Sequence, residues 1–201
     1  MLIAWIVVAS VAVVVTTFAD DRLHSQVESQ RAAVVTAEHR TVIRERLEGI
    51  LIPGAGGLPV AYALTIYAPS PDEAFLIPIF PRVVSLADPA IFPTGVGATG
   101  KAWDSPDNGF VVTGPAVASD KHGLTPLQQQ CYRPYAVVAS VVVRNSMDEP
   151  VGVLSAISRT NDGFFDQESG IRALQSIADE VAWVMPEAIQ WMMPMGEEVR
   201  P

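Results

Sequence analysis

The stretch Ala136–Ser158, AVVASVVVRNSMDEPVGVLSAIS, limits the possible folds of this chain more than any other. Two apolar runs, Ala136–Val143 and Val151–Ile157, flank a polar break from Asn145 to Pro150. Val-rich runs of this length closed by turn residues read as an antiparallel strand pair. Val137, Ala139, Val141 and Val143 point one way, and Ala136, Val138 and Val142 the other. A strand apolar on both faces is covered on both faces. The hairpin is therefore expected in the middle of a sheet, with helices above and below it.

The chain has 201 residues, room for one domain with accessories. Its formal charge of −9 comes without any basic patch that could neutralise phosphates, so nucleic acid is not an expected partner. Cys131 is the only cysteine, which excludes an internal disulfide and a multi-cysteine metal site. His24, His39 and His122 are too scattered for a recognisable zinc spacing. The residues point to no particular cofactor.

Met1–Ala19 carries no charged side chain. As a helix it would span roughly 28 Å, close to the ~30 Å hydrocarbon core. Trp5 and Phe18 sit near its ends, where interfacial aromatics belong. The expectation is a single membrane-spanning helix; a secretory signal peptide ending at Ala19 is the competing reading, although a basic start is missing. Arg22, Arg31 and Arg40 follow the span and no cation precedes it, so positive-inside counting places the soluble domain in the cytoplasm. Residues 20–51 read as a helical linker running into the first domain helix. A solvated spacer and a two-stranded signalling helix both fit it, because its heptad seam is imperfect.

Pro53 and the glycines after it predict the end of that helix. Ala61–Ala68 reads as a strand, and Phe75–Phe80 as a returning strand placed at an edge by Pro78. Pro81–Tyr135 is long, rich in Pro and Gly, and irregular; such segments in small domains are commonly functional. A last helix capped by Asp166 carries a stripe through Ile171, Leu174, Ile177, Ala178, Val181 and Val184 and is expected to stop at Pro186. Residues 187–201 then form a tail too short for an output domain, so output is expected to pass to a separate protein.

With this order of elements in place, three phrases attach to it: Phe92–Trp103 (FPTGVGATGKAW), Val151–Ser155 (VGVLS) and Phe164–Ile177. The chain resembles a GAF domain, a small-molecule-binding module of signalling proteins, from about Glu38 to Val184, with the domain bounded at 38–186. The resemblance implies an α+β fold, an α/β/α sandwich. Its central antiparallel sheet would have about six strands, with the terminal helices on one face and often forming a parallel dimer. The irregular segment would roof the other face, with the ligand pocket between. Specialised members carry signatures that this chain lacks. There is no Asn-Lys…Phe…Asp-Glu set for cyclic nucleotides. Cys131 is followed by Tyr132 rather than the histidine of bilin binders, and no haem-binding histidine precedes Ala136–Val143. The methionine sulfoxide reductases of this fold rely on several cysteines.

Four residues are the ligand-binding candidates. Cys131 could act as a redox thiol activated by Arg133, or be a small loop residue. Arg133 could grip a carboxylate or phosphate, or lie on the surface. Trp103 and Tyr135 could line an apolar pocket or complete the core. His122 reads as part of an exposed turn. The expected function is a membrane-tethered, non-catalytic sensory module that binds a small molecule or partner and signals as a homodimer through its terminal helices. A ligand-free interaction or dimerisation domain is the alternative, and a Cys131-based redox enzyme a third.

Overall fold

Valine on both sides of a strand requires cover on both sides, and the architecture follows from meeting that requirement. The computed structural model describes residues 36–59, 62–80, 91–105 and 109–192. The expected membrane helix at Met1–Ala19 lies outside the described residues, as does the linker up to residue 35. Among the described residues no helix is long and apolar enough to cross a membrane. The chain divides into two units, Met1–Thr41 and Val42–Pro201. In the first, residues 36–41 are helical, and the Thr41 hydroxyl donates to the Ala37 carbonyl at 3.0 Å.

The elements in chain order are a helix α1 (36–56), strands β1 (Ala63–Pro69), β2 (Phe75–Phe80) and β3 (Phe92–Pro93), helix α2 (Gly97–Asp104) and strand β4 (Phe110–Thr113). Two 3-10 turns, Gly114–Ala118 and Asp120–His122, lead to α3 (Pro126–Tyr132). The hairpin β5 (Val137–Arg144) and β6 (Pro150–Ser158) follows, then α4 (Glu168–Ala182) and α5 (Met185–Met192). The strands form one antiparallel six-stranded sheet in the order β3-β2-β1-β6-β5-β4. The ribbon read from the sequence thus occupies the interior of the sheet. Its turn is held by Asn145, whose side-chain oxygen accepts from the backbone N–H groups of Met147 and Glu149, both at 2.9 Å.

The two faces are covered differently. Val137, Ala139, Val141 and Val143 join Leu154 and Ala156 in the larger core, a floor completed by Ile43, Leu47 and Leu51 of α1, Leu174 and Val181 of α4, and Met185 and Ala188 of α5. Val138 and Val153 face the opposite side, under a roof made by α2, the 3-10 turns and α3. An ion pair between Arg46 on α1 and Glu187 on α5 ties two floor helices together across their exposed edges.

Four sequence expectations differ from the structure. Pro53 and Gly54 do not end α1, which continues to residue 56. Leu51 and Leu58, on either side, are both buried in the floor, and burial outweighs the cost of proline. A Cβ on Gly54 would lie 3.0 Å from the Ile177 side chain, so glycine serves close approach to α4 here. Pro186 starts α5 rather than merely ending α4; in a first turn its missing N–H has no partner to lose. Asp166 lies in a 3-10 turn, and Gln167 stands at the N-cap of α4 without a side-chain cap bond. β2 is not an edge strand, since β3 lies outside it; β3 pairs only with Phe75 and Leu76, so the expected edge position holds locally at Pro78 and not for the strand.

The floor yields two expected outcomes. Leu174 has no exposure at all, so Leu174→Ala should cost about 2–5 kcal/mol in chemical denaturation. Gly170 lies inside α4, where alanine normally helps by about 1 kcal/mol. Here an added Cβ would fall on the Phe164 carbonyl oxygen and 3.0 Å from Phe165 Cα. Gly170→Ala should therefore destabilise, by about 1–3 kcal/mol, and an unchanged or higher melting temperature would contradict this packing.

Candidate functional site

The roof begins with a chain reversal that needs glycine. Gly95 and Gly97 have φ of 76° and 65°, and a Cβ on Gly100 would lie 2.5 Å from the Pro93 carbonyl oxygen. The helix that follows turns only small residues inward: Gly97, Ala98, Thr99, Gly100 and Ala102 are its buried positions. A helix with so little side chain beneath it sits close to the sheet.

Beneath α2 the sheet carries a row of hydroxyls. Thr65 on β1 pairs across to Ser155 on β6, and Ser155 to Ser140 on β5. All three are buried, at 5% exposure or less. Ser155 Oγ lies 2.8 Å from Ser140 Oγ and 3.0 Å from Thr99 Oγ1. These bonds satisfy polar groups that would be costly to bury alone, and they pin α2 to the centre of the ribbon.

Beside this pin is a cavity of about 10 Å³, lined by Phe92, Ala98, Thr99, Val112, Tyr132 and Val138, with Val117, Leu124 and His122 completing its walls. That is room for about one water. Rings meet edge to face along one side of the roof: Tyr67 with Phe92 at 5.9 Å, Phe92 with Tyr132 at 5.7 Å, and Tyr132 with Tyr135 at 6.1 Å. Local bonds hold the remaining walls. Thr125 and Gln128 form a capping box at the start of α3, and the Gln128 amide donates to the Ile91 carbonyl at 3.1 Å.

The sequence reading missed the polar corner of this cavity. His122 is half-buried rather than a fully exposed turn residue, and its Nδ1 lies 3.0 Å from Lys101 Nζ. Because the ammonium can only donate, Nδ1 accepts and the ring proton resides on Nε2. Lys101 also stands over the Phe110 ring, 5.3 Å from its centroid, and Phe110 meets the His122 ring edge to face. Burial, followed by the charges of Lys101 and Lys121, holds the His122 pKa below the usual histidine value. Lys101 and His122 are 21 positions apart in the chain, so no local motif could have joined them.

The residues singled out from the sequence are placed as follows. Tyr135 is buried in the roof cluster with Ala98, Val112, Val117 and Val138. Trp103 is half-buried on α2 and packs against the cluster around Tyr67, Leu76 and Phe92. Cys131 is a free, half-buried thiol on α3, next in sequence to the cavity-lining Tyr132. Arg133 is exposed at the C-cap of α3. Among the described residues, no group of three His, Cys, Asp or Glu side chains could hold a metal ion.

No family model and no curated protein matches this sequence. Solved structures do match its fold. A type II free methionine-R-sulfoxide reductase from Thermoplasma acidophilum aligns over 77% of this chain and 97% of its own, at 19% identity and a TM-score of 0.56. A GAF domain/HD domain protein from Geobacter sulfurreducens aligns over 75% and 96% at 16% identity, with a TM-score of 0.53. A free methionine-R-sulfoxide reductase from Neisseria meningitidis aligns over 78% and 89% at 19% identity, with a TM-score of 0.51. The expectation that the chain is not an enzyme is overturned here, because enzymes are among the structures that share its architecture. It had rested on finding no catalytic motif, and the fold itself accommodates catalysis. At such identities the likeness extends to the fold: a curled antiparallel sheet between helices and a loop roof, the GAF-domain fold.

Proposed function

We propose that this chain is a sensory or regulatory domain whose roof cavity receives a small molecule and whose floor helices carry the response. One observation supports this most: a cavity lies on the face of the central ribbon away from the main core, under a helix fastened by small residues and hydroxyl bonds. A volume of about 10 Å³ admits nothing larger than water, so a ligand enters by lifting the roof. The ligand shifts the domain by its differential affinity for the raised and lowered roof. Residues of β5 alternate between the two layers, with Val138 in the roof and Val137 and Ala139 in the floor, so strain passes through the ribbon to α1 and α4.

The tether is Met1–Ala19, read as a membrane helix with the domain on the cytoplasmic side, and the working unit is a homodimer joined by the terminal helices. Val42, Ile52 and Trp183 support that interface; they are 53%, 54% and 77% exposed on α1 and at the end of α4. Sedimentation of the Trp183→Glu variant should show a monomer where the parent chain is a dimer. A monomeric parent at high micromolar concentration removes the dimer from the reading.

A second reading is reduction of methionine-R-sulfoxide, supported by the free, half-buried thiol of Cys131 next to Tyr132. With a single cysteine, an external thiol would have to resolve the oxidised sulfur. Both readings are tested with one panel of amino acids, methionine-R-sulfoxide, nucleotides and short carboxylic acids. A true ligand at one hundred times its Kd adds about 2.7 kcal/mol and raises the melting temperature by several degrees. Ala98→Phe, which fills the cavity, should abolish that rise. No shift from any compound would leave a filled-pocket interaction domain instead. Turnover of methionine-R-sulfoxide with a dithiol, lost in Cys131→Ser, would establish the reductase; absence of turnover in the parent discards it.

A further inference from the structure

We propose that the buried hydroxyls of Thr65, Ser155 and Ser140 form the polar end of the ligand site, and that the ligand presents to them an uncharged hydrogen-bond acceptor such as a carbonyl oxygen. This rests on the roof cavity being the ligand pocket and names the chemistry of the molecule that it takes. Leu64 and Ile66 belong to the floor, so Thr65 between them faces the roof. Ser140 between Ala139 and Val141, and Ser155 between Leu154 and Ala156, face the same way. The three are neighbours across the sheet, Thr65 opposite Ser155 and Ser155 opposite Ser140.

The row is short of acceptors. Thr99, Ser155, Ser140 and Thr65 each carry one hydroxyl proton. The bonds of Ser155 with Thr99 and with Ser140 engage two of these protons. Among the described residues the Thr65 hydroxyl has no partner, although Thr65 is only 5% exposed. One proton of the other three hydroxyls is left over as well. Buried donors without acceptors are costly, and these lie on the side of the sheet that carries the cavity. A single water in the cavity can serve Thr99, which lines it, but Thr65 is not among the lining residues.

An acceptor on the ligand answers this surplus. Cβ atoms directly opposite on paired antiparallel strands lie about 4.5–5.5 Å apart, so one oxygen can reach the hydroxyls of Thr65 and Ser155 together. Thr99 occupies Ser155 while the roof is down, and the arriving oxygen takes its place. Ser140 then donates to Ser155, while Ser155 and Thr65 donate to the ligand, so every proton of the row is used. The other inward residues of α2 are Gly97, Ala98, Gly100 and Ala102, none with a polar side chain to hold the helix down. Binding and roof lifting are therefore one exchange of hydrogen bonds. The row contains no charged side chain, and an ion buried on it would have no counter-charge, so the group is neutral. Val112, Val117, Leu124 and Val138 of the cavity wall suit an apolar body behind it.

The experiment titrates the full chain with acetophenone, with α-methylstyrene, in which CH2 replaces the carbonyl oxygen, and with benzoate, following the threonine methyl resonances by NMR. Acetophenone should shift the Thr65 and Thr99 methyls saturably, and α-methylstyrene should bind about tenfold more weakly. Thr65→Val keeps the shape of the side chain and removes the unpartnered hydroxyl. It should weaken acetophenone about tenfold while the melting temperature holds or rises. Thr99→Val should do the reverse, lowering the melting temperature and tightening acetophenone, because the competing hydroxyl is gone. A row that only fastens the roof would give neither change in affinity. Equal binding of acetophenone and α-methylstyrene, unchanged affinity in Thr65→Val, or tighter binding of benzoate than of acetophenone overturns the proposal. If compounds of the wider panel bind and acetophenone does not, the pocket stands and this assignment falls. If nothing binds, both fall together.

Discussion

The structure depends on one constraint: the β5–β6 ribbon is apolar on both sides and must be dry on both. A single covering layer would leave either the row containing Val137, Val141 and Leu154 or the row containing Val138 and Val153 in water. The chain meets this with two layers of unequal character. The floor is made of long aliphatic side chains from three helices, interdigitated and almost without exposure. The roof is made of short elements, with glycine, alanine and hydroxyls at the contact. Packing of the first kind tolerates little change. The second relies on fewer apolar contacts and on directional bonds, and it contains the cavity. The cavity therefore lies on the side closed by short elements and hydroxyl bonds rather than by the aliphatic floor.

Much of this architecture was legible in the sequence because it follows from periodicity. The alternation put Val137, Ala139, Val141 and Val143 on one face and Val138 on the other, as the structure has them, and the stripe at Leu174, Ile177, Ala178 and Val181 identified the buried side of α4. Phe92–Trp103, one of the three phrases that carried the resemblance, holds the reversal at Gly95 and the short helix α2, in which Gly97 and Gly100 lie. The punctuation signals did less well. Pro53 lies within a helix and Pro186 begins one, because proline's local effect depends on whether its N–H was needed and on what its neighbours bury.

The site was less legible, for a physical reason. Its pieces are contributed by α2, β4, a 3-10 turn and α3, and only the fold brings them together. Trp103 and Tyr135 were noticed because aromatic residues are conspicuous, and both belong to the roof clusters. Arg133 was noticed for its charge and is exposed. Lys101 and His122 were unremarkable as letters, and their significance lies in a 3.0 Å contact across a turn closed by Gly123 in the left-handed region. The hydroxyl row was equally hidden. Ser140 and Ser155 interrupt apolar runs and gain meaning only through strand register and the helix laid over them.

The clasp between Arg46 and Glu187 has a mechanical consequence. It joins the helix that enters the sandwich to the helix that leaves it, at an edge open to solvent, where ionic strength governs its strength. Concentrated salt screens that edge contact, and α1 and α5 then stay joined through the aliphatic packing of Leu47, Leu51, Met185 and Ala188 alone.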